Sequence, residues 1–410
     1  MRHPKFTGAI IAILAIVALP SAQIGFGATY KVLHAFTGTA DGAGLYGSPV
    51  LDSNNNLYGV TSGGGAHGEG TVFQLTPVGG GNWTKTTIYD FCPQPHCPDG
   101  ALPNDALTVD SAGNLYGPTS SGGPGGLGSV FQLSPGPDGW TFTLLADIGS
   151  PPLTLGARGN LYGEIGPGKC AHGEILKLIP PRNGGNWTTK DLYDFCPHNN
   201  KWGKGYSPNY GLSWDTSGNL YGIAGAGGKE NQGLVFQLEH TPKGWNAHVL
   251  HNFHYLNQDA DTPYGGVVVD STGNVYGSTL QGGSDRCGGP GCGTIYKLTK
   301  QPDGHWKETL LFEFPKWAES GDPVGTLAMD AAGNLYGVAG GGRGQCNCGV
   351  VFKFAHNPDD TWTYTILHRF QGTDGAYPQA GVILDAKGNI YGTTLMGGKG
   401  GAGVVFKIAQ

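Results

Sequence analysis

An all-β, seven-bladed propeller closed by its own N-terminal strand is predicted from three observations. The phrase Asn-Leu-Tyr-Gly, or a one-residue variant, occurs seven times, at Tyr58, Tyr116, Tyr162, Tyr221, Tyr276, Tyr336 and Tyr391. Glycine clusters between the copies separate apolar runs of strand length, and a Trp followed eight residues later by a large hydrophobe appears six times. Spacings of 46 to 60 residues between tyrosines make this one unit repeated, not a series of unlike domains.

The second copy shows the elements in order. Residues 103–110 alternate into a first strand, Ser111-Ala112-Gly113 turns it, and Asn114 to Pro118 returns as a second strand. Asp110 can accept backbone N–H groups in the turn and Gly113 tolerates positive φ, so the hairpin is short. A loop over 119–128 leads to a third strand at 129–133 and a fourth over 140–148 that opens on Trp140. A small sheet with two apolar faces cannot bury both alone, whereas radial stacking buries each against a neighbour.

The fourth-strand pairs Trp83/Phe91, Trp140/Ile148, Trp187/Phe195, Trp245/Phe253, Trp306/Phe314 and Trp362/Phe370 number six for seven blades. The last repeat stops after its third strand at 404–408, while residues 30–36 carry Leu33 and Phe36 at the spacing of Leu367 and Phe370. The N-terminal strand is therefore expected to complete blade 7 and remove an open sheet edge. The motif tyrosines and strand tryptophans read as packing between blades, not as sugar-stacking faces.

Charged residues are only 13%, the net charge is −6 and no Lys/Arg run occurs, which argues against nucleic acid or an anionic membrane as partner. Arg2 and Lys5 precede an apolar run from Ala9 to Leu19 and then small residues, the shape of a secretory signal peptide over 1–28, cut between 22 and 28. That run is short for a bilayer span, and no hydrophobic tail precedes Gln410, so no stable membrane anchor is expected. Residues 29–410 should form a single, monomeric domain that is secreted or periplasmic.

The run Val109-Asp110-Ser111-Ala112-Gly113-Asn114-Leu115-Tyr116-Gly117, followed by a glycine-rich loop, Val-Phe-x-Leu and Trp, resembles the GloVer tandem-repeat family of bacterial exported proteins over residues 29–410. That resemblance implies export and repetition, and no defined activity. In shape the repeat is also similar to NHL-type propellers and to the streptogramin lyase propeller, which implies that the first strand is innermost. Loops joining second to third strands, and fourth strands to the next first strand, then share one rim.

All eight cysteines fall in those loops. In an exported chain they read as disulfides, with Cys92–Cys97, Cys170–Cys196 and Cys287–Cys292 favoured and Cys346–Cys348 strained by its short ring. A zinc site from Cys287, Cys292, Cys346 and Cys348 is the alternative, but an oxidising compartment favours the bridges. No metal and no cofactor is expected.

The same rim gathers polar residues. Asp99, Asp261, Asp322 and Asp374 lie in loops leading into first strands, and Asn104, Asn209, Tyr264 and Gln379 follow the leading proline, with Tyr46 at the comparable place in blade 1. Such a ring can bind a sugar or a cation, because it offers oriented acceptors and flat apolar faces. Equally, each Asp can simply cap its own turn.

Blade 3 departs from the pattern, with Gly156 in place of the turn Asp, Glu164 where other blades carry Val60, Pro118, Ile223, Ser278, Val338 or Thr393, and Lys169, His172 and Glu174 nearby. Glu and His within reach of one another can serve as base and acid, although a degenerate blade would look the same. No nucleophile elbow, zinc helix, phosphate loop or dinucleotide fingerprint is present. The leading expectation is a rigid binding platform for extracellular glycan or protein. The alternatives are a lyase or hydrolase acting on polysaccharide or a small lactone, centred on blade 3, and a structural envelope protein.

Overall fold

Each repeat closes into one antiparallel sheet because its phrase supplies both the turn and the space for the next strand. The computed structural model describes residues 23–24, 27–165, 172–182, 185–195, 208, 210–254, 260–283, 292–314, 321–340 and 346–410. Of the expected signal segment over 1–28, residues 1–22, 25 and 26 lie outside the described residues, and no described helix is long and apolar enough to cross a membrane.

Blade 2 runs Thr108–Val109, Leu115–Thr119, Ser129–Gly136 and Gly139–Ala146, hydrogen-bonded in that order. The first strand is shorter than expected, because residues 104–106 leave the ladder to line the ring axis. In the turn, Asp110 Oδ1 accepts the N–H groups of Ala112 and Asn114, both at 2.9 Å, while Oδ2 accepts Asn114 Nδ2 at 2.8 Å and the Tyr116 hydroxyl at 2.9 Å. Asp52, Asp215, Asp270, Asp330 and Asp385 receive the same Asn and Tyr bonds. One carboxylate therefore explains why Asp, Asn and Tyr recur together. The glycine of the phrase has a different cause: a Cβ on Gly59 would lie 2.6 Å from the ring of Phe73, its cross-strand partner.

Asp110→Ala should cost about 1.5–3 kcal/mol, the range for hydrogen bonds to a charged group. Urea unfolding would check this; an unchanged midpoint would leave the turn network without energetic weight.

Between blades, the Trp of one packs on the phrase Tyr of the blade before it. Trp140 meets Tyr58, Trp187 meets Tyr116, Trp245 meets Tyr162 and Trp362 meets Tyr276, with ring centroids 5.8 to 6.2 Å apart. Trp83 meets Tyr391 at 6.3 Å, joining blade 1 to blade 7. Accordingly the core of the described residues divides into seven clusters, each between two adjacent blades.

Ring closure follows the expected route. Thr29–Ala35 pairs antiparallel with Val404–Ala409, with a bulge between Val32 and His34, and the Phe36 N–H donates to the Gly403 carbonyl at 2.9 Å. The fourth strand of blade 6 repeats this device, Phe370 N–H donating to the Gly349 carbonyl at 3.0 Å. One element was not anticipated: Gln23–Ile24 runs parallel to Thr365–Ile366 along the outer edge of blade 6.

Candidate functional site

Loops of two kinds meet on one rim: in blades 1, 2 and 7 short bridges tie the leading loop to the loop between second and third strands, Ala43 with Gly63, Ala101 with Ser121 and Ala376 with Met396. Leu102, Thr262, Asp322 and Tyr377 hold equivalent positions there, each just before a proline, at φ of 55°, 54°, 55° and 56°. Such left-handed backbone costs on the order of 1–2 kcal/mol for a residue with a Cβ. It is held in place by bonding on both sides: Leu102 N–H donates to the Glu69 carbonyl, and the Leu102 carbonyl accepts from Ser120 N–H.

The rim is cross-linked by Cys92–Cys97 and Cys346–Cys348, with Cα separations of 4.2 and 5.1 Å, and Cys292 is also disulfide-bonded. Zinc binding needs thiolates, and these sulfurs are already in disulfides. Cys170, Cys196 and Cys287 lie outside the described residues.

Below the rim, the leading segments of all seven blades surround an axial cavity of about 720 Å³. Tyr46, Asn104, Tyr264 and Gln379 line it, as do Asp105 and Tyr210; Leu327, Met329 and Ile383 supply apolar wall. Tyr210 and Tyr264 pack edge to face at 5.1 Å. Burial, then the neighbouring Tyr264 and Glu164, push the Tyr210 hydroxyl up to about 12, so it stays a neutral donor. Asn209 lies outside the described residues.

The loop aspartates are not in this lining. Asp99 Oδ2 accepts the Tyr89 hydroxyl at 2.8 Å and the Cys92 N–H at 3.1 Å, and Asp374 accepts His368 Nε2 at 2.9 Å and the Gln371 N–H at 2.7 Å. Asp261 is buried and accepts the Thr262 hydroxyl, while Asp322 occupies one of the left-handed positions. For Asp99 and Asp374 the turn-capping account is the one the geometry fits.

The structure sets two of the blade 3 residues apart. Glu164 pairs with Ile175 and Ile165 with Glu174, so alternation puts Glu164 and Glu174 on opposite faces of the sheet. His172 is half-buried just before the third strand, and Lys169 lies outside the described residues. Glu164 is 0% exposed; its Oε2 accepts the N–H groups of Tyr210 and Gly211 in blade 4, both at 2.9 Å, and Oε1 has no hydrogen-bond partner. Burial, only partly offset by those two donors and reinforced by the charge of Asp105, pushes its carboxyl up to about 7. Glu164 thus clips two blades together behind the cavity wall.

Gly156 has its own packing reason. A Cβ there would sit 2.5 Å from the Tyr162 ring and 2.9 Å from Trp214, whose Nε1 donates to the Leu155 carbonyl at 3.0 Å. Trp214 of blade 4 fills the space that the turn Asp uses elsewhere.

Asp105 and Tyr210 were missed because only the residue directly after the leading proline was considered. Register along the inner strands marks them: Asp105 and Tyr210 stand one position further on, where other blades place Gly47, Gly265, Gly325 and Ala380. Asp105 is half-buried and lines the cavity. Burial, opposed by the Ala106 N–H at 2.7 Å, pushes its carboxyl up to about 6.

Fold and cavity together define a closed seven-bladed β-propeller with a tyrosine-bearing axial cavity of mixed polar and apolar lining. The chain belongs to the Gloeobacter/Verrucomicrobia repeat family, whose repeat it matches over residues 22–212 and again over 207–410. Comparison with curated proteins finds no match.

Proposed function

We propose that this propeller is an exported binding module whose axial cavity takes a sugar unit of an extracellular glycan. The observation that carries this reading is the convergence of Tyr46, Tyr210 and Tyr264 with Asn104, Asp105 and Gln379 around one cavity of about 720 Å³. Flat aromatic faces suit the apolar side of a pyranose, and amides with a carboxylate suit its hydroxyls. The size is that of a small-ligand site. Export is supported by the disulfides on the rim, which persist in oxidising compartments. Binding is favoured over catalysis because Glu164 is sealed behind the wall and Glu174 lies on the other face of the sheet.

A glycan array followed by calorimetry on the hits tests this. Tyr46→Ala and Tyr264→Ala should each weaken a hit by about tenfold, the loss of roughly 1.4 kcal/mol of aromatic contact, with the melting temperature of the exposed Tyr46 variant unchanged. A hit indifferent to both substitutions would place binding elsewhere on the molecule.

A further inference from the structure

The cavity has an electrostatic feature that a neutral sugar leaves unused. Among the described residues that line it, Asp105 is the one charged side chain, and no Lys, Arg or His accompanies it. Among the described residues, its carboxylate accepts one bond, from the adjacent Ala106 N–H, and no cation acts on it. A second carboxyl, Glu164, stands close enough behind the wall to feel its charge, again with no cation beside it. The rest of the polar lining consists of amides and hydroxyls, and Tyr210 and Tyr264, packed edge to face, add aromatic rings to the wall.

We propose that the cavity selects a cationic sugar, a glucosamine unit carrying a free ammonium, which pairs with Asp105; this rests on the sugar-binding reading above. Three physical effects act together. An ammonium–carboxylate hydrogen bond is about twice as strong as a neutral one, and enclosure from water strengthens it further. Tyrosine faces attract an ammonium through their quadrupole. An N-acetylated sugar loses the charge, and a uronate brings a like charge towards Asp105. Asn104 and Gln379, on opposite sides of Tyr46 in the ring order, remain to orient ring hydroxyls.

The test is calorimetry at pH 7 with three tetrasaccharides: β-1,4-linked glucosamine, its fully N-acetylated counterpart and a galacturonate. The glucosamine tetramer should bind at least about tenfold tighter than the N-acetylated one, the low end of what a hydrogen bond between charged groups contributes. The galacturonate should be weakest. Asp105→Asn, close in shape and still able to accept the Ala106 N–H, should bring the glucosamine to N-acetylglucosamine affinity ratio down to about one. Equal or tighter binding of the N-acetylated tetramer by the unmodified protein, or a preference that survives Asp105→Asn, overturns the cationic assignment while leaving a sugar site standing. Absence of binding by all three, with no hit on the wider array, overturns the sugar-binding reading itself.

Discussion

Removal of residues 29–37 is expected to abolish the folded monomer. The segment supplies the fourth strand of blade 7, and its loss uncovers the full length of Val404–Ala409 as an unpaired edge. Phe36 is fully buried, 5.1 Å from Phe73 of blade 1, and Leu33 is nearly so. Tyr30 stacks on His368 of blade 6 at 3.6 Å and donates its hydroxyl to the Asp374 carbonyl at 2.6 Å. The strand therefore joins blades 6, 7 and 1. Burial of Leu33 and Phe36 alone contributes roughly 1.5–3 kcal/mol each, against a typical domain stability of about 5–15 kcal/mol. Size-exclusion chromatography and thermal melting decide the matter: aggregation or loss of the transition is expected, and a soluble monomer with an unchanged melting point would defeat the closure argument. Phe36→Ala offers a milder probe, expected to cost about 3–5 kcal/mol.

Glu164→Gln is expected to change the pH dependence of stability more than its value at any one pH. The folded carboxyl titrates at about 7 against an ordinary 4.5, so it resists ionisation where the unfolded chain ionises freely. Stability from this group is therefore whole below about 4.5, falls as pH rises and levels off above 7; at about 1.36 kcal/mol per pH unit the total loss is on the order of 3 kcal/mol. Asp105, raised to about 6, acts in the same direction. The turn aspartates Asp110, Asp215, Asp270, Asp330 and Asp385 act oppositely. Burial raises them, but hydrogen bonds from the turn outweigh it and hold them below the usual range, so their contribution is lost on acidification. Gln keeps an acceptor for the Tyr210 and Gly211 N–H groups and cannot ionise. The melting temperature of the variant relative to the unmodified protein should rise between pH 5 and pH 8; parallel curves would show that Glu164 does not titrate in this window.

Much of the fold was legible in the chain because a propeller is a local pattern repeated. Hairpin turns, strand alternation and Trp-to-Phe spacing each act over a few residues, so a single repeat reveals the blade and the count reveals the ring. The missing seventh copy of the fourth strand even located the closure, since Leu33 and Phe36 match Leu367 and Phe370. The candidate site was legible only in part. Tyr46, Asn104, Tyr264 and Gln379 line the cavity, yet Asp99 and Asp374 face their own turns, and Asp105 went unnoticed.

By itself, then, the sequence determined the seven blades, their strand order and the N-terminal closure. Tertiary structure alone decided which polar residues share a space. Asp105 and Glu164 are 59 positions apart and belong to different blades, and Glu164 is bound by the backbone of a third. Repetition fixes each residue's place within its blade, but radial stacking sets what faces it across the axis and across the blade interface. The same stacking bears on blade 3, where Tyr162 together with Trp214 from the neighbouring blade leaves no room for a side chain at position 156.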